Sequence, residues 1–183
     1  DHGDHEHVEG FNEHVWYDPH TIVHVAEAIA AELSELLPED ADAIADNLET
    51  FAAGIEELEA QLAAVAEAHG GEEVLITEPV AGYLVAAAGL VDATPQGFSA
   101  AVEGGQDVPP AVLLDTLNEI ESGHIKAVIA NAQTGGAETT RVIEAADAGG
   151  IPIVEFTETL PEGQTYLQWM QSNIEALQGA LQE

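Results

Sequence analysis

The chain has 183 residues, 35 of them acidic and two basic, for a formal charge of −33. This balance argues against nucleic acid or an anionic membrane surface as a partner and makes cations the natural ones. A hydrophobic content of 46% allows a real core for one domain, or for one lobe with part of another, and the lack of cysteine excludes disulfides and thiolate metal sites.

Three readings fit the acidity. It is a solvated surface, an adaptation to a saline habitat where screening relieves self-repulsion, or a device for accumulating cations. No run of about 18 apolar residues is present, so no membrane span is expected. No signal-peptide pattern is present either, and the natural polypeptide is expected to start upstream of Asp1.

Residues 1 to 13 are polar and without periodicity, and they read as a loop. Five of the eight histidines fall in the first twenty positions: His2, His5, His7, His14 and His20. Imidazole nitrogen and carboxylate oxygen are ligands for zinc and manganese, which makes this opening a candidate metal-binding region. From 19 to 37, Ile22, Val25, Ala26, Ile29, Leu33 and Leu36 recur at helical spacing, with Pro19 at the first position of the helix. Pro38 interrupts it. A second helix is expected from 38 or 39 to 68, with Ile44, Leu48, Phe51, Ile55, Leu58, Leu62 and Val65 on one stripe. About 30 residues at 1.5 Å each give roughly 45 Å, a length suited to a strut.

Beyond His69-Gly70-Gly71 the pattern alternates. Strands are expected at 73–77, 90–94, 125–130 and 151–156, and helices at 79–88, 108–122, 137–148 and 165–181. Short apolar strands separated by helices predict an α/β fold, a parallel sheet covered by helices on both faces. Ligands of such folds bind beyond the carboxyl ends of the strands. Glu78 and Glu158 each follow a predicted strand. Either acid can face a cleft, and either can be a first-turn acid favoured by a helix dipole. His14 lies just before a helix beside Trp16 and Tyr17, as a ligand or as a structural histidine. The segment from Asn131 to Thr134 follows the third strand and is read as support for the cleft. His20 and His24 share a helix face four residues apart and read as surface residues. His69 and His124 sit at element ends and read as structural. No Gly-x-Ser-x-Gly or Walker loop occurs.

The segment Asn12 to Pro19 (NEHVWYDP) resembles the Asn-Pro-His-x-Trp-x-Asp-Pro signature of the zinc- and manganese-binding solute-binding proteins of ABC importers, the cluster A-I, ZnuA-like family. The acidic, His-rich stretch before it resembles the flexible loop of zinc-specific members. The likeness continues through Thr77-Glu78-Pro79, Tyr83, Gly89-Leu90, Ile151-Pro152-Ile153, Phe156-Thr157-Glu158-Thr159, Tyr166 and Trp169-Met170.

That resemblance implies two α/β lobes joined by a long helix, with the metal between them. Residues 1–37 then correspond to the His-rich loop and the end of the amino-terminal lobe, 38–68 to the connecting helix and 69–183 to the carboxyl-terminal lobe. It implies His14, Glu78 and Glu158 as metal ligands, with the family's first histidine unmatched in this chain. His2, His5 and His7 become a collecting loop. Position 13 is Glu where many relatives have Pro, and position 78 is Glu where zinc members place His.

The implied function is capture of a divalent metal ion, zinc ahead of manganese, and its delivery to an ABC transporter permease. The implied protein is a monomer and not an enzyme, in the periplasm or on the cell surface, with or without a lipid anchor. The alternatives are a metal-dependent hydrolase and a surface adhesion protein on the same scaffold.

Overall fold

The Asp18 side chain accepts a hydrogen bond from the His20 N–H at 3.2 Å, and Pro19 fills the first helical position, where no N–H is required. These two residues start helix α1 (Pro19–Leu36). The computed structural model describes residues 11–182. The expected collecting loop of His2, His5 and His7 lies outside the described residues.

A 3₁₀ turn, Pro38–Asp40, separates α1 from the long helix α2 (Ala41–His69). Pro38 has no N–H with which to continue the α1 ladder, which is why the chain breaks there. The 29 residues of α2 span about 43 Å. Its expected stripe is fully buried only in the second half, at Ile55, Leu58, Leu62 and Val65. Gly54 marks a close approach to the last helix of the chain: a Cβ at that position would stand 2.4 Å from Leu167 Cδ1.

Four parallel strands follow, β1 (Glu73–Ile76), β2 (Val91–Asp92), β3 (Ile125–Asn131) and β4 (Ile153–Phe156), in the order β2-β1-β3-β4. Between them lie α3 (Gly82–Ala87), α4 (Phe98–Glu103), α5 (Pro110–Glu121) and α6 (Ala137–Gly149), and α7 (Tyr166–Leu181) closes the chain. One sheet face presents Val74, Ile76, Ala127, Ile129, Val154 and Phe156 to α2, α3 and α7. The other packs Leu75 and Val128 against Phe98, Leu113, Ile120, Val142 and Ala146 of α4, α5 and α6. This is the expected fold class, a parallel sheet covered on both faces.

Three local expectations are corrected. The helix expected at 79–88 is a 3₁₀ turn, Pro79–Ala81, leading into the shorter α3. The strand expected at 90–94 contracts to the two exposed residues of β2, because it pairs with β1 alone at the sheet edge. Helix α4 was not expected; a single buried aromatic, Phe98, anchors six residues that are too few to show a periodicity.

Helix α1 is amphipathic, as expected, but most of its apolar stripe is not covered. Ile22 and Val23 pack against the core. Val25, Ile29, Leu33 and Leu36 are exposed, Leu36 to 73%. No described helix is long and apolar enough to cross a membrane.

Candidate metal centre

Strand order decides where a ligand can sit. The chain goes from β1 outward to β2 and then returns to β3 on the other side of β1. The reversal leaves a crevice between the carboxyl ends of β1 and β3. Ile76 pairs with Ile129, and Asn131 with Phe156. Two residues past Ile76 stands Glu78, and two residues past Phe156 stands Glu158. Asn131, at the end of the strand between them, lies beside both.

The side chains meet there. Asn131 Nδ2 donates to Glu78 Oε2 at 3.0 Å and to Glu158 Oε2 at 3.4 Å. The Thr134 hydroxyl donates to Glu78 Oε1. Glu78 is 5% exposed and Asn131 6%, so the bond between them is formed largely out of water. Gln133 holds the second acid through its backbone: Gln133 Oε1 accepts the N–H groups of Glu158 and Thr159 at 2.7 and 3.0 Å. Gln133 Nε2 donates to Thr159 Oγ1 at 2.8 Å. The segment 131–134 therefore does support the cleft.

His14 reaches the same end of the sheet by another route. Asn12 Nδ2 donates to the Pro79 carbonyl at 2.8 Å, and Tyr83 Oη donates to the Asn12 carbonyl at 2.7 Å. Asn12 Oδ1 then receives the His14 N–H at 3.1 Å and faces His14 Nδ1 at 2.8 Å. Because the Asn12 amide nitrogen is committed to Pro79, its oxygen must be the acceptor and Nδ1 the donor. In the neutral ring this tautomer puts the imidazole lone pair on Nε2, one of the two nitrogens through which histidine ligates metals. Glu103 Oε1 lies 3.7 Å from His14 Nδ1. Trp16 stands edge-on to the ring at 5.1 Å.

The following residues tie the His14 turn to the Glu158 turn. Tyr17 is fully buried, and its hydroxyl donates to the Thr157 carbonyl at 2.6 Å. It also accepts from Asn173 Nδ2 at 3.3 Å. Burial pushes the Tyr17 hydroxyl well above the ordinary tyrosine range. Tyr166 donates to the Trp16 carbonyl at 2.9 Å.

Glu78 and Glu158 are thus brought together on Asn131, whereas His14 stands beside Asn12 and Glu103. Among the described residues, no three His, Asp or Glu side chains converge closely enough to hold a metal ion. Two residues beside His14, Asn12 and Glu103, are not among the site residues the sequence points to. Asn12 lies inside the signature segment; for Glu103 the sequence carries no signal, since α4 itself was not expected. His20 and His24 are exposed, with rings 5.0 Å apart and each Nδ1 near a carboxylate, Glu59 at 3.2 Å and Glu27 at 2.9 Å.

The family model described as "Zinc-uptake complex component A periplasmic" (ZnuA) matches residues 1–180. The chain belongs to this family. Three solved structures show how closely this ZnuA-family chain keeps the fold. A structure of ZnuA is 21% identical, with 92% of this chain and 59% of that chain covered at a TM-score of 0.70. The laminin binding protein Lmb of Streptococcus agalactiae is 22% identical, with 92% and 64% covered at 0.75. The periplasmic zinc binding protein TroA of Treponema pallidum is 18% identical, with 99% and 68% covered at 0.74. The chain thus spans about three-fifths to two-thirds of the length of these structures. No curated protein sequence matches it significantly. The family description is that of an uptake component and not of an enzyme.

Proposed function

We propose that the protein captures a divalent transition metal outside the cytoplasm and delivers it to an ABC permease. The observation that carries this reading is the convergence of Glu78 and Glu158 on Asn131 at the crevice between the strand ends. His14 is the third ligand, through Nε2. One imidazole and two carboxylates suit both zinc and manganese, and the Irving–Williams order places zinc above manganese for the same donors. The TroA and ZnuA likenesses and the family description support zinc. The metal is cargo in this reading, and the permease is the partner. The location is the periplasm or the cell surface.

The lobe division belongs to the same reading. Residues 1–37 end the amino-terminal lobe, 38–68 connect, and 69–183 form the carboxyl-terminal lobe. The exposed stripe of Val25, Ile29, Leu33 and Leu36 along α1 supports it. That stripe is the surface on which the rest of an amino-terminal lobe would pack, and the family's first histidine would come from there.

Competition titration with a chromogenic chelator tests the ligands. Glu158→Ala is expected to weaken zinc binding by more than about 100-fold, beyond the range found for groups that only support a ligand. Unchanged affinity would defeat the assignment. A second reading, an adhesin on this scaffold, is supported by Lmb, described as a bifunctional protein with adhesin and metal transporting activity. Binding to laminin that survives loss of His14, Glu78 and Glu158 would favour it.

A further inference from the structure

Two carboxylates held side by side in a chain of charge −33 repel each other, and the repulsion grows as water is excluded. A cation is the usual remedy. Yet neither Glu78 nor Glu158 has a Lys or Arg partner among the described residues, and the chain holds only Lys126 and Arg141. A neutral amide occupies the place of the cation. Asn131 Nδ2 carries two hydrogens, and its two acceptors are one oxygen of each acid.

The orientation of that amide is fixed from its other end. Asn131 Oδ1 accepts the Gln133 N–H at 3.0 Å, an atom that can only donate. The amide nitrogen must therefore point at the acids, which accept. The topology explains the position: β3 lies between β1 and β4, so the residue at its carboxyl end has both acids as neighbours. Thr134 takes the other Glu78 oxygen, which sets the plane of that carboxylate.

We propose that Asn131 is a positioning residue that holds Glu78 and Glu158 together as a prearranged oxygen half-site, with Thr134 fixing the rotation of Glu78. This rests on the assignment of Glu78 and Glu158 as ligands. In the absence of metal the amide dipole keeps the two acids converged without neutralising them. On capture the ion takes over the attraction at the oxygens that face it. Asn131 contributes by lowering the reorganisation that binding requires, and it does not itself ligate.

The test uses the full chain with zinc and with cobalt, whose visible absorption reports coordination number. Asn131→Ala is expected to weaken zinc binding by about 10–100-fold, the range typical of groups that orient a ligand. It should also alter the cobalt spectrum, because a mispositioned carboxylate changes the coordination. Thr134→Val should do the same more weakly. Ile120→Val, a destabilising change in the opposite core cluster, should leave affinity and spectrum as they are. Loss of affinity in Ile120→Val to the same extent would show that Asn131 acts only through stability and overturn the proposal.

The unmutated backbone supplies a measurement that survives a folding defect in Asn131→Ala. The Asn131 side-chain NH₂ resonances should move in both Glu78→Gln and Glu158→Gln, since each acid takes one hydrogen. Resonances that respond to only one substitution, or to neither, would overturn the shared contact. If both Gln variants bind zinc as the wild type does, the ligand assignment fails and the proposal with it. If both lose affinity while Asn131→Ala keeps affinity and spectrum, only the positioning role fails.

Discussion

Removing the Asn12 side chain should damage both the fold and the site, in amounts that its contacts allow to be estimated. Asn12→Ala deletes three interactions: donation to Pro79 O at 2.8 Å, and acceptance from the His14 N–H at 3.1 Å and from His14 Nδ1 at 2.8 Å. A net hydrogen bond contributes about 0.5–1.5 kcal/mol, and two of these three share one acceptor, so a loss of about 2 kcal/mol is expected. For a chain of this size that lowers the thermal midpoint by about 4–8 °C. Zinc affinity should fall by about 10–100-fold, because the amide oxygen sets the imidazole tautomer. Asn12→Asp separates the two effects. It keeps the acceptor for Nδ1 and loses the tie to Pro79, so it should recover more of the affinity than of the stability. Calorimetric melting and a zinc competition titration read the two quantities. A variant that melts with the wild type and binds zinc equally well would refute the role given to Asn12.

Tyr17→Phe loses the bond to Thr157 and should cost about 1 kcal/mol in urea unfolding. The Tyr17 and Tyr166 hydroxyls are both raised by burial, so the folded state resists their ionisation. The stability they protect is whole below about pH 10, the unfolded tyrosine value, and is lost as pH rises above it. Alkaline unfolding should therefore be shallower in Tyr17→Phe than in the wild type, and equal slopes would contradict the assignment. Gly89 sits at φ +69°, and a Cβ there would stand 2.9 Å from the Ala66 Cβ. Gly89→Ala should cost at least about 1–2 kcal/mol from the backbone alone, measured by the same unfolding assay. The formal charge of −33 predicts a thermal midpoint that climbs with sodium chloride as the Debye length falls from about 30 Å at 0.01 M to about 3 Å at 1 M. A midpoint that stays flat across that range would remove self-repulsion, and with it the saline reading, from consideration.

The elements most legible in the sequence are those whose pattern repeats long enough to be read. α1, α2, α5, α6 and α7 lie within a few residues of where their periodicity places them, and β1, β3 and β4 match short apolar runs bounded by Gly or Pro. β2 and α4 are not legible, because two and six residues carry too little pattern to distinguish. The exposure of most of the α1 stripe is not legible at all. Periodicity shows that a face is apolar and says nothing about whether a partner covers it. For the site, the strand-end position of Glu78 and Glu158 is a sequence signal, but their meeting is not. It depends on strand order, which the sequence leaves open, and on Asn131, a residue type with many uses.

Strand order also explains why the two halves of the site are built differently. The acids sit two residues beyond hydrogen-bonded strands, on backbone fixed by the Thr77 N–H to Ile129 O bond at 2.9 Å and the Ala132 N–H to Phe156 O bond at 2.7 Å. Sites on such elements hold their geometry better than sites on loops. His14 has no strand beneath it, so its position depends on side chains: Asn12 on Pro79, Tyr83 on Asn12, Tyr17 on Thr157 and Tyr166 on Trp16. Each of these ties joins the segment from Asn12 to Tyr17 to a residue between Pro79 and Tyr166. Two of them, Asn12 on Pro79 and Tyr17 on Thr157, end next to an acid, whereas the hydroxyls of Tyr83 and Tyr166 end on Asn12 and Trp16, so a substitution at Tyr83 or Tyr166 should act on His14 and spare the Glu78–Asn131–Glu158 contact. Tyr83→Phe makes the distinction sharpest, since it removes one hydroxyl that touches neither acid. It should lower zinc affinity while leaving the Asn131 side-chain NH₂ resonances where they are in the wild type; movement of those resonances would mean that the two halves are one unit.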